Sequence, residues 1–540
     1  MEDVKINGQK KKKRLFKAAA VLILTALHVA VVSGRDRVTF QWPKPLSVTA
    51  ALSVILAVML TAGFYTCIMR CITRLSQKEK VLKERFFFFA GYFAFMGIFW
   101  FLTWPGIFKG DEFYVLRAAL TFRFSAMQSG LTSMFYILTL LFFPSLASIV
   151  FWQLLIICQI FAVIMQNLWN SCSDGKRGLL FIPFILLPVI DANLFTLRAS
   201  LAGWLFLFVI CLTCGIIKRP AKNRYTAILL CMVTGLVCAW RSEFIYLVIC
   251  IPIVLIWLKK AAIKQAAFCF LGIVLFWQLF SIPNKIAADG QNKYPISLVL
   301  NPVANLLTEV EDLKGPDVYD DVMCINEVVD AAQLRKDASV RNISQYWNIP
   351  DVLPKDQLSS FMRSAIRLII YYPGKFLKYR WQTFAFTNGI YQDGHTAYPG
   401  GEDPDALPYL TYYGMDYSRY FVLSSPPAGY DIRMKAIDTI LCRRYDNDGS
   451  LKKTMLLTVF YNVLPVFVLV IISASIAAIY KKKENLAMLT VTFLQFPLVF
   501  LTAPAMFFMY YFCFYLSGSF SVILLLVSLI KDKSKNEKEV

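Results

Sequence analysis

Blocks of roughly 17–25 apolar residues recur along this chain, the length an α-helix needs to cross a bilayer core of about 30 Å. Unpaired backbone polar groups are too costly in hydrocarbon, so each such block must be helical. The first blocks are 15–34 and 46–69, and the last are 486–503 and 509–530. Hydrophobic residues fill 57% of the 540 positions and charged residues 17%, against about 25% charged in a soluble domain. The expected fold is an all-α polytopic membrane protein.

A formal charge of +21 raises nucleic acid as a partner, but the position of the charge argues against it. Lys and Arg gather at the ends of apolar blocks, as the positive-inside rule requires of a protein whose partner is the lipid bilayer. The basic loops are Lys10–Lys17, Arg70–Arg85, Lys218–Arg224, Lys259–Lys264, Lys481–Lys483 and the tail from Lys531. Both termini are therefore expected in the cytoplasm, in a multi-pass plasma-membrane protein. The basic start followed by an apolar run has the shape of a signal peptide. The run is long and no small-residue cleavage site follows, so it reads as a retained span.

An even number of crossings follows from this orientation. Between Glu112, read as outside, and Lys218, read as inside, lie four apolar blocks: 126–143, 146–168, 179–190 and 200–217. The crossing number there must be odd. Block 126–143 begins with Ser125, Gln128, Ser129, Thr132 and Ser133 and meets the next block at Pro144 with no charged loop. It is taken as an interfacial or re-entrant helix, with the short block 179–190 as the rival. Twelve spans remain. The loop with Arg35, Arg37 and Lys44 falls outside, against the rule.

Residues 284–454 differ in character. Acidic stretches (Glu309 to Asp312, Asp317 to Asp321) alternate with turn-rich Tyr398-Pro399-Gly400-Gly401 and Pro426-Pro427-Ala428-Gly429. Periodicity at 358–386 predicts one amphipathic helix broken at Pro373. This segment is read as a large, mostly helical extracytoplasmic domain. Of thirteen cysteines only Cys324 and Cys442 fall in it, where they either pair or remain free thiols. Cys211 and Cys214 have CxxC spacing but lie in an apolar span and read as packing residues.

Ionisable residues near the membrane are costly and mark candidate sites. All the candidates lie at the outer face under this topology. Asp111 and Glu112 follow a span that ends at Trp104-Pro105-Gly106. A carboxylate there suits a general base toward a hydroxyl, or a ligand to a divalent cation; a solvated loop or a helix N-cap is the competing reading. Asp191 and Asn193 precede Arg198, and Arg241 accompanies Glu243. Arg suits bidentate phosphate binding, with snorkelling as the alternative. Lys375, Lys378, Tyr379, Arg380 and Trp381 form a basic and aromatic run with His395 downstream, suited to a phosphate group or to anionic headgroups. No Walker A loop, GxSxG elbow or HExxH is present.

The order of these features resembles the GT-C superfamily of membrane glycosyltransferases, including bacterial branches of it. The likeness rests on Trp104-Pro105-Gly106 to Asp111, on Trp240-Arg241-Ser242-Glu243-Phe244-Ile245-Tyr246, and on Tyr372-Pro373-Gly374-Lys375-Phe376-Leu377. It covers roughly residues 86–385. The resemblance implies a seven-span module at 86–283, preceded by a basic N-terminus and two leading spans (1–85). The extracytoplasmic domain (284–454) and three C-terminal spans with a basic tail (455–540) follow. It also implies a polyprenyl-phosphate-linked sugar as donor and a glycan or lipid acceptor. Asp111 or Glu112 would be the catalytic base, and Arg198, Arg241, Arg380 and Lys378 would bind the donor phosphate. Asp191 and Asn193 would be polar residues of the second loop. The His-Pro or Pro-Pro pair common ahead of the juxtamembrane helix is absent; Arg123 to Gln128 stands there. A flippase or transporter of lipid-linked glycans is one alternative. A polysaccharide polymerase or ligase using Arg363, Arg367 and Arg380 is another.

Overall fold

A computed structural model describes residues 2–76, 80–108, 110–124, 128–169, 174–196, 198–217, 224–287, 292–308, 317–336, 349–388 except 351, 455–539, and residues 315, 429, 432, 435 and 436. The described residues are helical, with an isolated parallel bridge between Ile107 and Phe195. Eight helices are long and apolar enough to cross a membrane. A ninth candidate is a helix pair, Lys176–Ile185 and Leu187–Leu194, bent by 50°. The chain divides into two compact units: residues 1–170, 193–197 and 402–430, and residues 171–192, 198–401 and 431–540.

The first unit holds α1 (Glu2–Thr39), α2 (Val48–Ser76), α3 (Lys80–Leu102), α4 (Gly110–Leu120), α5 (Gly130–Phe142) and α6 (Leu146–Trp169). Helix α5 falls in the block expected not to cross. It has 13 residues, about 20 Å at 1.5 Å per residue, short of the hydrocarbon core. Most of its residues are buried, so its polar start at Ser129, Thr132 and Ser133 faces protein. Helices α3 and α6 pack closely, with Tyr92 stacked on Phe161 at 4.1 Å between ring centroids. His28 of α1 ties two neighbours together: Nε2 lies 2.6 Å from the Phe142 carbonyl and Nδ1 lies 3.1 Å from the Tyr65 hydroxyl. A carbonyl only accepts, so Nε2 carries the proton in the contact with Phe142.

The second unit contains α7 (Ile182–Ile185), α8 (Leu187–Leu194, whose last two residues belong to the first unit), α9 (Arg198–Thr213), α10 (Arg224–Trp240), α11 (Leu247–Trp257) and α12 (Ile263–Phe280). It continues with α13 (Tyr294–Thr308), α14 (Val318–Asn326), α15 (Lys355–Tyr371), α16 (Pro373–Thr387), α17 (Val463–Ile479), α18 (Lys483–Thr502) and α19 (Phe512–Glu539). Helices α10 and α12 form a close helix pair. Gly235 permits it: a Cβ there would lie 2.7 Å from Phe276 Cβ and from the Trp277 backbone nitrogen. Small residues let helices approach in this way where lipid supplies no hydrophobic driving force. Helix α19 packs on α9, α17 and α18.

Helices α13, α14, α15 and the short helix Ala331–Lys336 share a core of their own, built from Leu300, Val303, Ile325, Leu334, Phe361 and Leu368 among others. The expected amphipathic segment is here as α15 and α16, broken at Tyr372-Pro373. A proline at the first helical position starts α16 because its missing N–H would have no partner there. Beneath α15, Asp321 is 1% exposed and lies 3.3 Å from Arg367. Burial pushes its carboxyl above the ordinary value, and Ser364 and Arg367 only partly oppose this. The sign follows from linkage: stability from the neutral acid is present below the unfolded pKa and is lost as pH rises through the raised one. At neutral pH the ionised Asp321 therefore costs stability. Asp321→Asn is expected to raise thermal stability at pH 7 by about 0.5–2 kcal/mol and to change it little at pH 3. Melting of the detergent-solubilised protein at both pH values checks this.

Candidate functional site

The turn from α3 to α4 carries the carboxylates, and local hydrogen bonds fix it. Trp100 Nε1 donates to the Pro105 carbonyl (3.1 Å), and Gly106 N donates to Thr103 O (2.8 Å). Ile107 N donates to Leu194 O (3.2 Å). Gly106 has φ +144°, a region that glycine occupies at little cost. A Cβ at this position would overlap Val150 Cγ2 of α6. Gly106→Ala should lower stability by about 2 kcal/mol or more. Adding Val150→Ala should return only part of this, because the φ strain remains; thermal melts of the single and double variants check it.

Asp111 and Glu112 stand in the first turn of α4, where the helix dipole favours negative charge. Adjacent helical residues point about 100° apart, and here this separates them. Asp111 is exposed and Glu112 is wholly buried. The Glu112 carboxylate acts electrostatically on the Tyr136 phenol of α5. Tyr136 OH donates to Thr196 Oγ1 at 2.6 Å. Asn193 Nδ2 donates to Tyr92 OH at 3.2 Å, and Gln153 Nε2 donates to the Asn193 carbonyl at 2.9 Å. The first unit thus buries Glu112, Tyr136, Thr196, Asn193, Tyr92 and Gln153 as polar groups among its apolar helices. The same unit has a groove of about 390 Å³, lined by Val29, Val32, Trp42, Val54, Val58 and Leu141 among others.

The remaining candidates lie in the second unit. Asp191 is buried, and its Oδ2 accepts from Tyr461 OH at 2.8 Å. Arg198 opens α9; its Nη2 lies 3.4 Å from Tyr294 OH, with the guanidinium carbon 5.8 Å from the Tyr294 ring centre. Arg241 is buried, and its Nη2 lies 2.5 Å from Glu243 Oε1. Burial works against the Arg241 charge, Glu243 overcomes that, and Tyr294 adds to it, leaving the pKa above the ordinary value. Arg198 therefore meets Tyr294 directly, and the same phenol acts electrostatically on Arg241.

Arg380 and Lys378 are not brought together. Two positions apart on α16 they point about 200° apart. Lys378 is exposed, and its Nζ lies 5.5 Å from the Tyr379 ring centre. Arg380 is fully buried: Nη1 donates to Ala503 O (2.8 Å) and Leu501 O (3.3 Å), and Nη2 donates to Thr383 Oγ1 (3.2 Å). Burial lowers its pKa to about 10, so it stays charged at neutral pH. Its terminal nitrogens hold the last carbonyls of α18.

Among the described residues no three His, Cys, Asp or Glu side chains are grouped to hold a metal ion. His395 and Cys442 lie outside the described residues. Comparison with known protein families, curated proteins and solved structures returns no match to this chain. Sequence reasoning missed Tyr136, Thr196, Tyr294 and Tyr461. Their hydroxyls meet partners 60, 96 and 270 residues away, and no local pattern signals such pairs.

Proposed function

We propose that this chain is a membrane glycosyltransferase that moves a sugar from a polyprenyl-phosphate donor to a glycan or lipid acceptor at the outer face of the plasma membrane. The observation that carries the reading is the pair Asp111 and Glu112. One carboxylate is exposed and one is buried, both in a first helical turn directly after an apolar helix long enough to span. An accessible carboxylate suits proton removal from an acceptor hydroxyl, so Asp111 takes the role of base. Glu112, wholly buried, is part of the packed interior of the first unit.

In this reaction the Asp111 carboxylate takes the hydroxyl proton as the acceptor oxygen attacks the anomeric carbon. The bond from that carbon to the phosphate oxygen breaks, and polyprenyl phosphate leaves with the electron pair. The configuration inverts. Charge gathers on the departing phosphate, and arginine answers it bidentately. Arg198 and Arg241, both of the second unit, are side chains of that type, and Lys378 is exposed for the headgroup region. Arg380, held on carbonyls, serves the fold. The apolar groove of the first unit suits part of a prenyl chain.

Twelve crossings fit this reading. They comprise the eight long helices, the bent pair as one span, and the three shorter apolar helices Arg198–Thr213, Arg224–Trp240 and Ser242–Trp257. Gly130–Phe142 then stays on one side. The test is a transfer assay: the purified protein in proteoliposomes, supplied with a panel of polyprenyl-phosphate sugars. Release of polyprenyl phosphate from at least one donor, dependent on an acceptor, is the expected result. No release from any member of the panel would overturn the proposal.

A further inference from the structure

Helices α15 and α16 each carry exposed side chains spaced along one face. Ser359 and Arg363 are exposed near the start of α15. Ile366, Ile370, Leu377 and Trp381 follow, at 45, 67, 49 and 46% exposure. Spacing of four residues puts Ile366 with Ile370, and Leu377 with Trp381, on one helix face. Exposed Lys378 stands beside Leu377. Large apolar side chains in such a row mark a surface that something covers.

A separate contact says what covers it. Arg380, next to Trp381, donates to the Ala503 and Leu501 carbonyls at the end of α18. Helix α18 is a 20-residue candidate span with Lys481–Lys483 at its other end. The Arg380 contact therefore pins α16 at the depth where the hydrocarbon core gives way to headgroups. The Arg380 guanidinium is turned inward onto α18, and Trp381, about 100° around the helix, is turned away at the same level. Tryptophan favours that depth, and a lysine beside it suits anionic headgroups.

We propose that α16, with the end of α15, is an in-plane interfacial element. It seats Leu377 and Trp381 in the lipid leaflet at the C-terminal end of α18, with anionic headgroups gathered at Lys378. The covering partner is a lipid surface. This holds whether or not the chain transfers sugars, since it requires only that α18 crosses the membrane.

The test uses the full chain in vesicles of phosphatidylglycerol and phosphatidylethanolamine, with Cys67, Cys71, Cys172, Cys250, Cys324 and Cys442 replaced by alanine. A single environment-sensitive fluorophore is placed by Leu377→Cys, or by Trp381→Cys if the first variant is not monodisperse. Ser359→Cys is the comparison. Lipid carrying a nitroxide near its headgroup should quench the label at 377 or 381 several-fold more than the label at 359. Aqueous acrylamide should show the opposite order. Lys378→Glu should reduce the lipid quenching. Equal access of acrylamide to both positions would overturn the proposal. So would shielding of position 377 from both quenchers, which would mean a protein covers these side chains.

Discussion

Asp111→Asn lowers sugar transfer by about two to four orders of magnitude while leaving expression and thermal unfolding nearly unchanged. The expectation follows from exposure. Asp111 faces out of the first turn of α4, so the amide loses the proton-accepting oxygen without opening a cavity. The structural cost includes the lost interaction with the helix dipole, about 0.3–1 kcal/mol. Glu112→Gln gives the opposite balance, because that side chain is wholly buried against Tyr136. It should shift the melting temperature and reduce transfer only as far as the turn moves. If Asp111→Asn keeps full activity, the base is Glu112 or the reading fails.

Removing Arg241 should have two effects that a second substitution separates. Arg241→Met leaves the Glu243 carboxylate, 18% exposed, without its partner at 2.5 Å. Breaking a buried pair in this way costs about 3 kcal/mol. Adding Glu243→Gln removes the stranded charge, and most of that stability should return. Transfer should not return if Arg241 binds the donor phosphate as proposed: loss of such an arginine costs about 100- to 1000-fold, and glutamine does not replace it. Melting curves and the transfer assay on the single and double variants read the two effects independently. A double variant that recovers transfer would make Arg241 a structural partner of Glu243 and nothing more.

The sequence shows the helices more clearly than it shows what they meet. Lipid forces every apolar block to be helical, so the blocks and the break at Pro373 can be read from local pattern alone. The sides of the site residues cannot. Asp111 and Glu112 are neighbours in sequence, yet only Tyr136, 24 residues after Glu112, distinguishes them. Lys378 and Arg380 look like one basic patch until helical geometry sends them to opposite faces and α18 receives Arg380. Asp191 and Asn193 appear as one polar loop, yet one meets Tyr461 and the other Tyr92. In each case the deciding contact lies far along the chain, where periodicity carries no information.

The central claim is that this chain consumes a lipid-linked sugar. Glycan and lipid profiling of a strain lacking the chain tests it most directly. The account predicts one glycoconjugate missing a sugar and accumulation of the matching polyprenyl-phosphate donor. Both should be restored by the intact chain and neither by the Asp111→Asn variant. Unchanged glycans and unchanged polyprenyl-phosphate sugars in that strain would contradict it.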